Sequence, residues 1–190
     1  NPLHLALVID RSGSMSGQPL DEAKRCAEFV LDGLQATDRL SLVVYDNQVQ
    51  TLVPTMLLHD KEFARRAIRA IDSGGSTDLH GGWFQGAETL APHTKENITS
   101  RVILLSDGCA NHGLLDHDQI HAQCAEFARA GVSTSTYGLG HGFNEELMIS
   151  MARAYSGLGM YDRAYELARD AHVLRQQTLR PDDPGIAEAL

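Results

Sequence analysis

The stretch that decides the fold is Val8-Ile9-Asp10-Arg11-Ser12-Gly13-Ser14-Met15-Ser16, which continues the mainly apolar run that begins at Leu3. A short aliphatic run of this kind is typical of a strand buried in a parallel sheet. The run ends at Asp10, so the Asp-x-Ser-x-Ser segment is predicted to form a loop at the carboxyl end of that strand, where open α/β sheets bind ligands. One carboxylate and two hydroxyls in one turn suit a hard cation such as Mg²⁺, which prefers oxygen ligands.

Two further segments carry side chains of the same kind. Residues 101–108 form a second apolar strand that ends in Asp107 and a glycine, and residues 74–79 form a glycine-rich loop with Thr77 ahead of a helical pattern. Because all three segments lie at the ends of strands or helices, one edge of one sheet can bring them together. Ser, Asp and Gly also form ordinary turns, so an Asp-x-Ser-x-Ser segment taken alone favours an ordinary turn over a metal site.

Together the three segments resemble a von Willebrand factor type A domain with its metal-ion-dependent adhesion site, and the resemblance covers residues 3 to about 155. It implies that Ser12 and Ser14 bind a metal directly, that Asp10 and Asp107 bind it directly or through water, and that Thr77 alternates between these two modes. It predicts Mg²⁺ at this site, with Mn²⁺ or Ca²⁺ as alternatives. The implied metal ligands are Asp10, Ser12, Ser14, Thr77 and Asp107.

Alternating strand and helix patterns predict an α/β fold, a three-layer, Rossmann-like, doubly wound and mostly parallel sheet. Strands 39–45 and 49–53 are joined by a short turn and should form an antiparallel pair, with 49–53 at the sheet edge and Pro54 ending it. The predicted strands are 3–10, 39–45, 49–53, 101–106 and 132–139, and the predicted helices are about 19–35, 60–71, 79–91, 117–130 and 144–156.

The end of the chain differs from the rest. Small residues and tyrosines recur from Ala152 to Ala171, and a Pro-containing break follows at 180–184, which resembles a tetratricopeptide repeat. We therefore predict two domains, a metal-binding domain at 1–156 and a C-terminal helical hairpin of tetratricopeptide-repeat type at 157–190, with helix 144–156 shared. The apolar stripe of this tail should pack on that helix, on further repeats or on another copy of the chain. In the alternative, residues 159–164 form a sixth strand of the sheet.

Composition limits the partners and the compartment. The chain has 190 residues and a net charge of −9, which argues against nucleic acid as the main partner. No apolar run reaches about 18 residues, so no membrane-spanning segment is expected. The three cysteines have no metal-like spacing, and Cys26 and Cys124 are expected to be small buried hydrophobes in helices. Their pattern favours a reducing compartment, so we expect a cytoplasmic location.

Other motifs admit two interpretations each. His117 and His121 stand four residues apart on one helix, a spacing that can bind zinc, but no third ligand is evident and helix-surface histidines are favoured. The glycine pattern at 138–143 is interpreted as a loop at the sheet edge rather than a dinucleotide site.

Asp78, next to Thr77, either supports the metal ligands or caps the following helix. Trp83 and the adjacent phenylalanine are expected to pack rather than bind a ligand.

The function predicted from these features is a protein-interaction module, not an enzyme, in which a bound Mg²⁺ accepts an exposed Asp or Glu of a protein partner. Two carboxylates neutralise a divalent cation only formally, so it stays attractive to a further carboxylate. The alternative is a Mg²⁺-dependent hydrolase of phosphate esters, which would need a general base near the metal. Only Asp78 and His112 are candidates for that base, and neither has a recognisable partner. In a third interpretation the cation only holds three loops together.

Overall fold

Five strands form a single sheet in the computed structural model, which describes residues 2–95, 97–139 and 145–153. In chain order they are β1 (Leu3–Asp10), β2 (Arg39–Tyr45), β3 (Val49–Leu57), β4 (Thr99–Ser106) and β5 (Val132–Gly138). The order across the sheet is β3-β2-β1-β4-β5, and β3 alone of these five runs antiparallel to its neighbour. The predicted fold class is therefore confirmed. The helical tail, its alternative as a sixth strand at 159–164 and the domain boundary after residue 156 lie outside the described residues.

Among the described residues, five α-helices cover the two faces of the sheet. In chain order they are α1 (Gln18–Gly33), α2 (Lys61–Arg69), α3 (Leu79–Leu90), α4 (His117–Arg129) and α5 (Glu145–Arg153). Successive residues of a strand point to opposite faces, so Leu5 and Leu7 of β1 pack with α1 and α2, whereas Ala6 and Val8 pack with α3, α4 and α5. The result is the three-layer arrangement that the alternating sequence pattern predicts.

The predicted end of β3 was wrong, because the strand continues through Pro54 to Leu57. β3 is an edge strand whose ladder partner is β2, and the register between them shifts near Leu42, which pairs with Val53 while Leu40 pairs with Met56. Pro54 is exposed at this irregularity. A proline that cannot donate a hydrogen bond is tolerated on an edge strand or at a bulge, so it need not end the strand.

Two smaller predictions have different outcomes. Cys124 is buried in α4 as expected, but Cys26 is only half-buried, because it packs at the margin of the core on α1 rather than within it. Trp83 of α3 is fully buried, and its indole N–H donates to the Thr134 hydroxyl at 2.9 Å, so it is a packing residue.

None of the helices within the described ranges is long and apolar enough to cross a membrane.

The sheet register places the carboxyl ends of three strands side by side. Asp10, the last residue of β1, is paired with Tyr45, the last residue of β2, and Ile9 is paired with Leu105 of β4. Side chains at the ends of β1, β2 and β4 therefore converge at one edge of the sheet, which is where the predicted metal ligands lie.

Candidate metal centre

Asp10 is fully buried and is surrounded by hydrogen-bond donors. Its Oδ1 accepts the backbone N–H of Ser12 at 2.8 Å. Its Oδ2 accepts the hydroxyl of Ser106 at 2.7 Å and the hydroxyl of Tyr45 at 3.3 Å. Donors from the ends of the two strands that flank β1 and from the loop that follows it thus hold the carboxylate in one orientation.

Burial dominates the electrostatics of the Asp10 carboxyl. Burial raises the pKa of its carboxyl above the usual value, and the negative charge of Asp107 adds to this rise, whereas hydrogen bonds from Ser12 and Ser106 lower the pKa. No ion pair within the described residues involves Asp10 or Asp107. A bound cation would offset both the cost of burial and the repulsion between the two carboxylates.

Ser12 and Ser14 present their hydroxyls to each other beside this carboxylate. The two oxygens are 3.1 Å apart and hydrogen-bonded. Ser12 is buried and Ser14 is exposed, so the pair leads from the buried carboxylate to the solvent. Both oxygens have lone pairs that a hard cation can use.

The loop that follows β1 is tied directly to the glycine-rich loop ahead of α3. The Gly13 N–H donates to the Gly75 carbonyl at 3.0 Å, and the Gly74 N–H donates to the Arg11 carbonyl at 2.8 Å. Gly75 has a φ of +73° and packs so closely on Asn47 that a Cβ atom would collide with its side-chain oxygen. A glycine is therefore required where the two loops meet.

Thr77 is buried and is held by the loop that follows β4. Its N–H donates to the side-chain oxygen of Asn111 at 2.8 Å, and its carbonyl accepts the N–H groups of Asn111 and His112, each at 3.1 Å. The loops that carry Thr77 and Asp107 are thereby fastened together at the backbone.

Asp107 directly follows β4 and is 7% exposed. Its Oδ1 accepts the N–H of Cys109 at 3.0 Å. Its charge contributes to the shift of the Asp10 pKa, which places the two carboxylates within electrostatic reach of each other.

The five predicted ligands thus lie at one edge of the sheet, Asp10 at the end of β1 and the other four in three loops. Within the part of the chain that the structure describes, no cluster of three or more His, Cys, Asp or Glu side chains could hold a metal ion. The candidate centre has a different composition, two carboxylates and three hydroxyls, all of them oxygen ligands. This donor set fits Mg²⁺ or another hard divalent cation rather than a soft one.

The sequence analysis missed three residues that support this centre. Ser106 and Tyr45 donate to Asp10, and Asn111 fixes the backbone of Thr77. Ser106 could have been found, since it directly precedes Asp107 at the end of a strand. Tyr45 required the pairing of β1 with β2, and Asn111 lies in a loop without a pattern of its own.

The remaining candidates have structural roles or no metal partners. Asp78 is the N-cap of α3, and its carboxylate accepts the Gly81 N–H at 2.9 Å, so of its two interpretations the structure shows the helix cap. His121 of α4 contacts the Ser150 hydroxyl at 3.5 Å, and neither it nor His117 belongs to a potential metal cluster among the described residues. Gly138 ends β5, while most of the glycine pattern at 138–143 lies outside the described residues.

Comparison with known proteins identifies the family. The family model for the von Willebrand factor type A domain matches residues 4–171. The chain belongs to the von Willebrand factor type A (vWA) domain family. The protein sll0103 of Synechocystis is 30% identical over 189 residues, which are 99% of this chain and 44% of that protein. This vWA chain therefore spans less than half the length of that relative.

Solved structures share the fold of this vWA domain. A von Willebrand factor type A protein from Catenulispora acidiphila matches with a TM-score of 0.71 and 18% identity, over 92% of this chain and 42% of that one. Proximal thread matrix protein 1 from the mussel byssus, solved with a zinc-occupied MIDAS motif, matches with a TM-score of 0.66 and 17% identity, over 91% and 46% of the two chains. At these identities the likeness concerns the fold. vWA domains are commonly protein-interaction modules.

Proposed function

We propose that this domain binds one divalent cation, in the first instance Mg²⁺, through Asp10, Ser12, Ser14, Thr77 and Asp107. The observation that carries the proposal is the pair of buried carboxylates of Asp10 and Asp107, which lie at the ends of neighbouring strands and share no ion pair with a basic side chain among the described residues. Burying two unpaired like charges is costly, and a divalent cation between them is a direct means of offsetting that cost.

The oxygen ligands and the fold both support a divalent metal. Carboxylate and hydroxyl oxygens suit Mg²⁺, Mn²⁺ and Ca²⁺. The mussel byssus protein, which shares the fold, holds zinc in its MIDAS motif, so this architecture can accept a divalent cation at such a site.

We further propose that the bound cation accepts an Asp or Glu side chain of a protein partner. The two carboxylates neutralise a divalent cation formally, and the other three protein ligands are uncharged. Ser14 lies at the exposed rim, so an incoming carboxylate can approach from the solvent side. Of the two candidate general bases, Asp78 already serves as the cap of α3, and His112 is exposed in the loop after β4. We therefore propose a role in binding rather than in catalysis.

Calorimetric titration of metal-free protein with Mg²⁺ and with Mn²⁺ tests the first step. We expect one site per chain, lost in Asp107→Ala, which removes a charged ligand, and weakened in Ser14→Ala. Asp118→Ala and Ser16→Ala are matched controls, because both residues are exposed and outside the proposed ligand set, and they should bind like the wild type. A folded wild-type protein that takes up no metal at millimolar concentration would exclude the proposal.

A small carboxylate tests the second step without knowledge of the partner. Water-proton relaxation reports on Mn²⁺ that is bound to the protein and still carries water. N-acetylglutamate should displace such water and lower the relaxation enhancement, whereas N-acetylglutamine should leave it unchanged. Equal responses to the two compounds would show that the cation does not select a carboxylate.

A further inference from the structure

The Ser106 hydroxyl links the loop after β4 to the carboxylate of Asp10 through hydrogen bonds. Its oxygen accepts the Gly108 N–H at 2.9 Å and lies 2.7 Å from Asp10 Oδ2. The backbone N–H of Gly108 can only donate, so it uses a lone pair of the serine oxygen, and the single hydroxyl proton is donated to the carboxylate, which accepts. Ser106 thus connects the loop that carries Asp107 to the carboxylate of Asp10.

Tyr45 reaches the same oxygen from the other side of β1. Its hydroxyl donates to Asp10 Oδ2 at 3.3 Å, and the whole residue is buried. The ring lies against the backbone of α3 at Gly82, where any Cβ atom would collide with it. The hydroxyl is therefore held in place by a close contact with α3 as well as by its position at the end of β2.

We infer that Ser106 and Tyr45 are positioning residues that give the centre its preference for Mg²⁺ over Ca²⁺, an inference that rests on the proposed metal site. Both oxygens of Asp10 are engaged, Oδ1 by the Ser12 N–H and Oδ2 by the two hydroxyls. A carboxylate locked in this way cannot turn to meet ions of different size.

Mg²⁺ and Ca²⁺ differ in the coordination geometry that they accept, so a rigid carboxylate affects the two ions differently. Mg²⁺ demands near-ideal octahedral geometry at short distances, whereas Ca²⁺ accepts six to eight oxygen ligands in flexible arrangements, including bidentate carboxylates. A fixed Asp10 favours the smaller ion. If Oδ2 loses its donors, the carboxylate can rotate and adapt, which should harm Mg²⁺ binding more than Ca²⁺ binding.

Dissociation constants for Mg²⁺ and Ca²⁺, measured by calorimetry on the full chain, test this inference. Ser106→Ala should weaken Mg²⁺ binding about 10- to 100-fold, as is usual for residues that support metal ligands, and should weaken Ca²⁺ binding clearly less. Ser106→Thr restores the hydroxyl and should recover the wild-type ratio. Ser100→Ala is the matched control, because Ser100 is also a buried serine of β4 and its hydroxyl has no hydrogen-bond partner among the described residues.

Tyr45→Phe provides an independent variant should Ser106→Ala fail to fold. It removes only the hydroxyl and should shift the Mg²⁺-to-Ca²⁺ ratio in the same direction, by less, because its hydrogen bond is longer. Tyr137→Phe on β5 is its control. An equal loss for both ions, or no loss in Ser106→Ala and Tyr45→Phe, overturns the inference while the metal site stands. A wild-type protein that binds neither ion overturns the metal site itself.

Discussion

Gly82 lies where α3 passes directly over the buried ring of Tyr45, and any Cβ atom at this position would collide with that ring. Gly82→Ala should therefore destabilise the fold by about 1–3 kcal/mol, the usual cost of overpacking a core. At about 2–4 °C per kcal/mol for a chain of this size, thermal unfolding would detect the change readily.

Gly33→Ala is the matched control for this substitution. Gly33 is the last residue of α1, and a Cβ atom there would meet nothing within 4 Å. Because alanine restricts the unfolded chain more than glycine, this variant should be neutral or slightly stabilised. If Gly82→Ala were as stable as Gly33→Ala, the close contact between α3 and Tyr45 would be refuted.

Single residues also show how far the sequence predicts the candidate site. Asp10 and Asp107 could be found because each ends a clear apolar run, and a strand end fixes where a side chain lies. Ser106 and Tyr45 could not be assigned to Asp10, because which strands lie beside β1 is decided by packing across the whole sheet. Along the chain, Ser106 is 96 residues and Tyr45 is 35 residues away from Asp10, to which both donate.

At the scale of elements, α1 and α2 are joined by ion pairs on their exposed sides. Arg69 Nε lies 2.6 Å from Glu28 Oε1, and Arg65 lies 2.7 Å from Asp32 Oδ1. The hydrogen bond from Arg69 holds the pKa of Glu28 below its usual value, and the hydrogen bond from Arg65 does the same for the pKa of Asp32.

These lowered pKa values give the pairing a defined dependence on pH. A carboxyl group whose pKa is lower in the folded state stabilises the fold above its unfolded pKa and loses this effect as the pH falls through the folded value. Glu28→Gln should therefore lower the unfolding temperature slightly at pH 7. The difference from wild type should shrink as the pH falls below the ordinary pKa of glutamate, and it should vanish once Glu28 is protonated in the folded state as well.

High salt and a control variant separate the charge effect of Glu28 from the effect of lost packing. The pair is partly exposed, so the difference at pH 7 should shrink in high salt. Glu126→Gln on α4 changes an exposed glutamate for which the structure gives no ion pair among the described residues, and it should show no such dependence. A Glu28→Gln difference that persists in acid, where Glu28 is protonated in the folded state, would mean that lost packing rather than lost charge is responsible.

Element boundaries were predictable where local chemistry decides them. The helix starts at Asp78 and Asp116 coincide with aspartates that accept backbone N–H groups, as expected of N-caps. The end of β3 was not predictable, because Pro54 ends a central strand but not an edge strand with a shifted register. The position of the strand in the sheet therefore decides what the proline does.

At the scale of the whole molecule, the candidate site depends on the complete sheet. Its ligands lie on loops after β1, before α3 and after β4, and backbone hydrogen bonds join these loops in pairs, from Gly13 to Gly75 and from Asn111 to Thr77. No short segment contains the centre. It exists only when β1, β2 and β4 are aligned, so metal binding and folding should be coupled.

This coupling leads to a prediction for the unfolding temperature that rests on the proposed metal site. A ligand that binds only the folded state stabilises it by about 2.7 kcal/mol at 100 times its dissociation constant, which corresponds to about 5–10 °C for a chain of this size. The unfolding temperatures measured with saturating Mg²⁺ and with EDTA should differ by this amount in the wild type and in Asp118→Ala.

Asp107→Ala should show no such difference between Mg²⁺ and EDTA, because one of the two buried carboxylates is absent. In EDTA the Asp107→Ala variant should be at least as stable as the wild type, because the repulsion between the carboxylates of Asp107 and Asp10 is removed. An equal Mg²⁺-dependent rise in Asp107→Ala would place the stabilising ion elsewhere on this acidic chain.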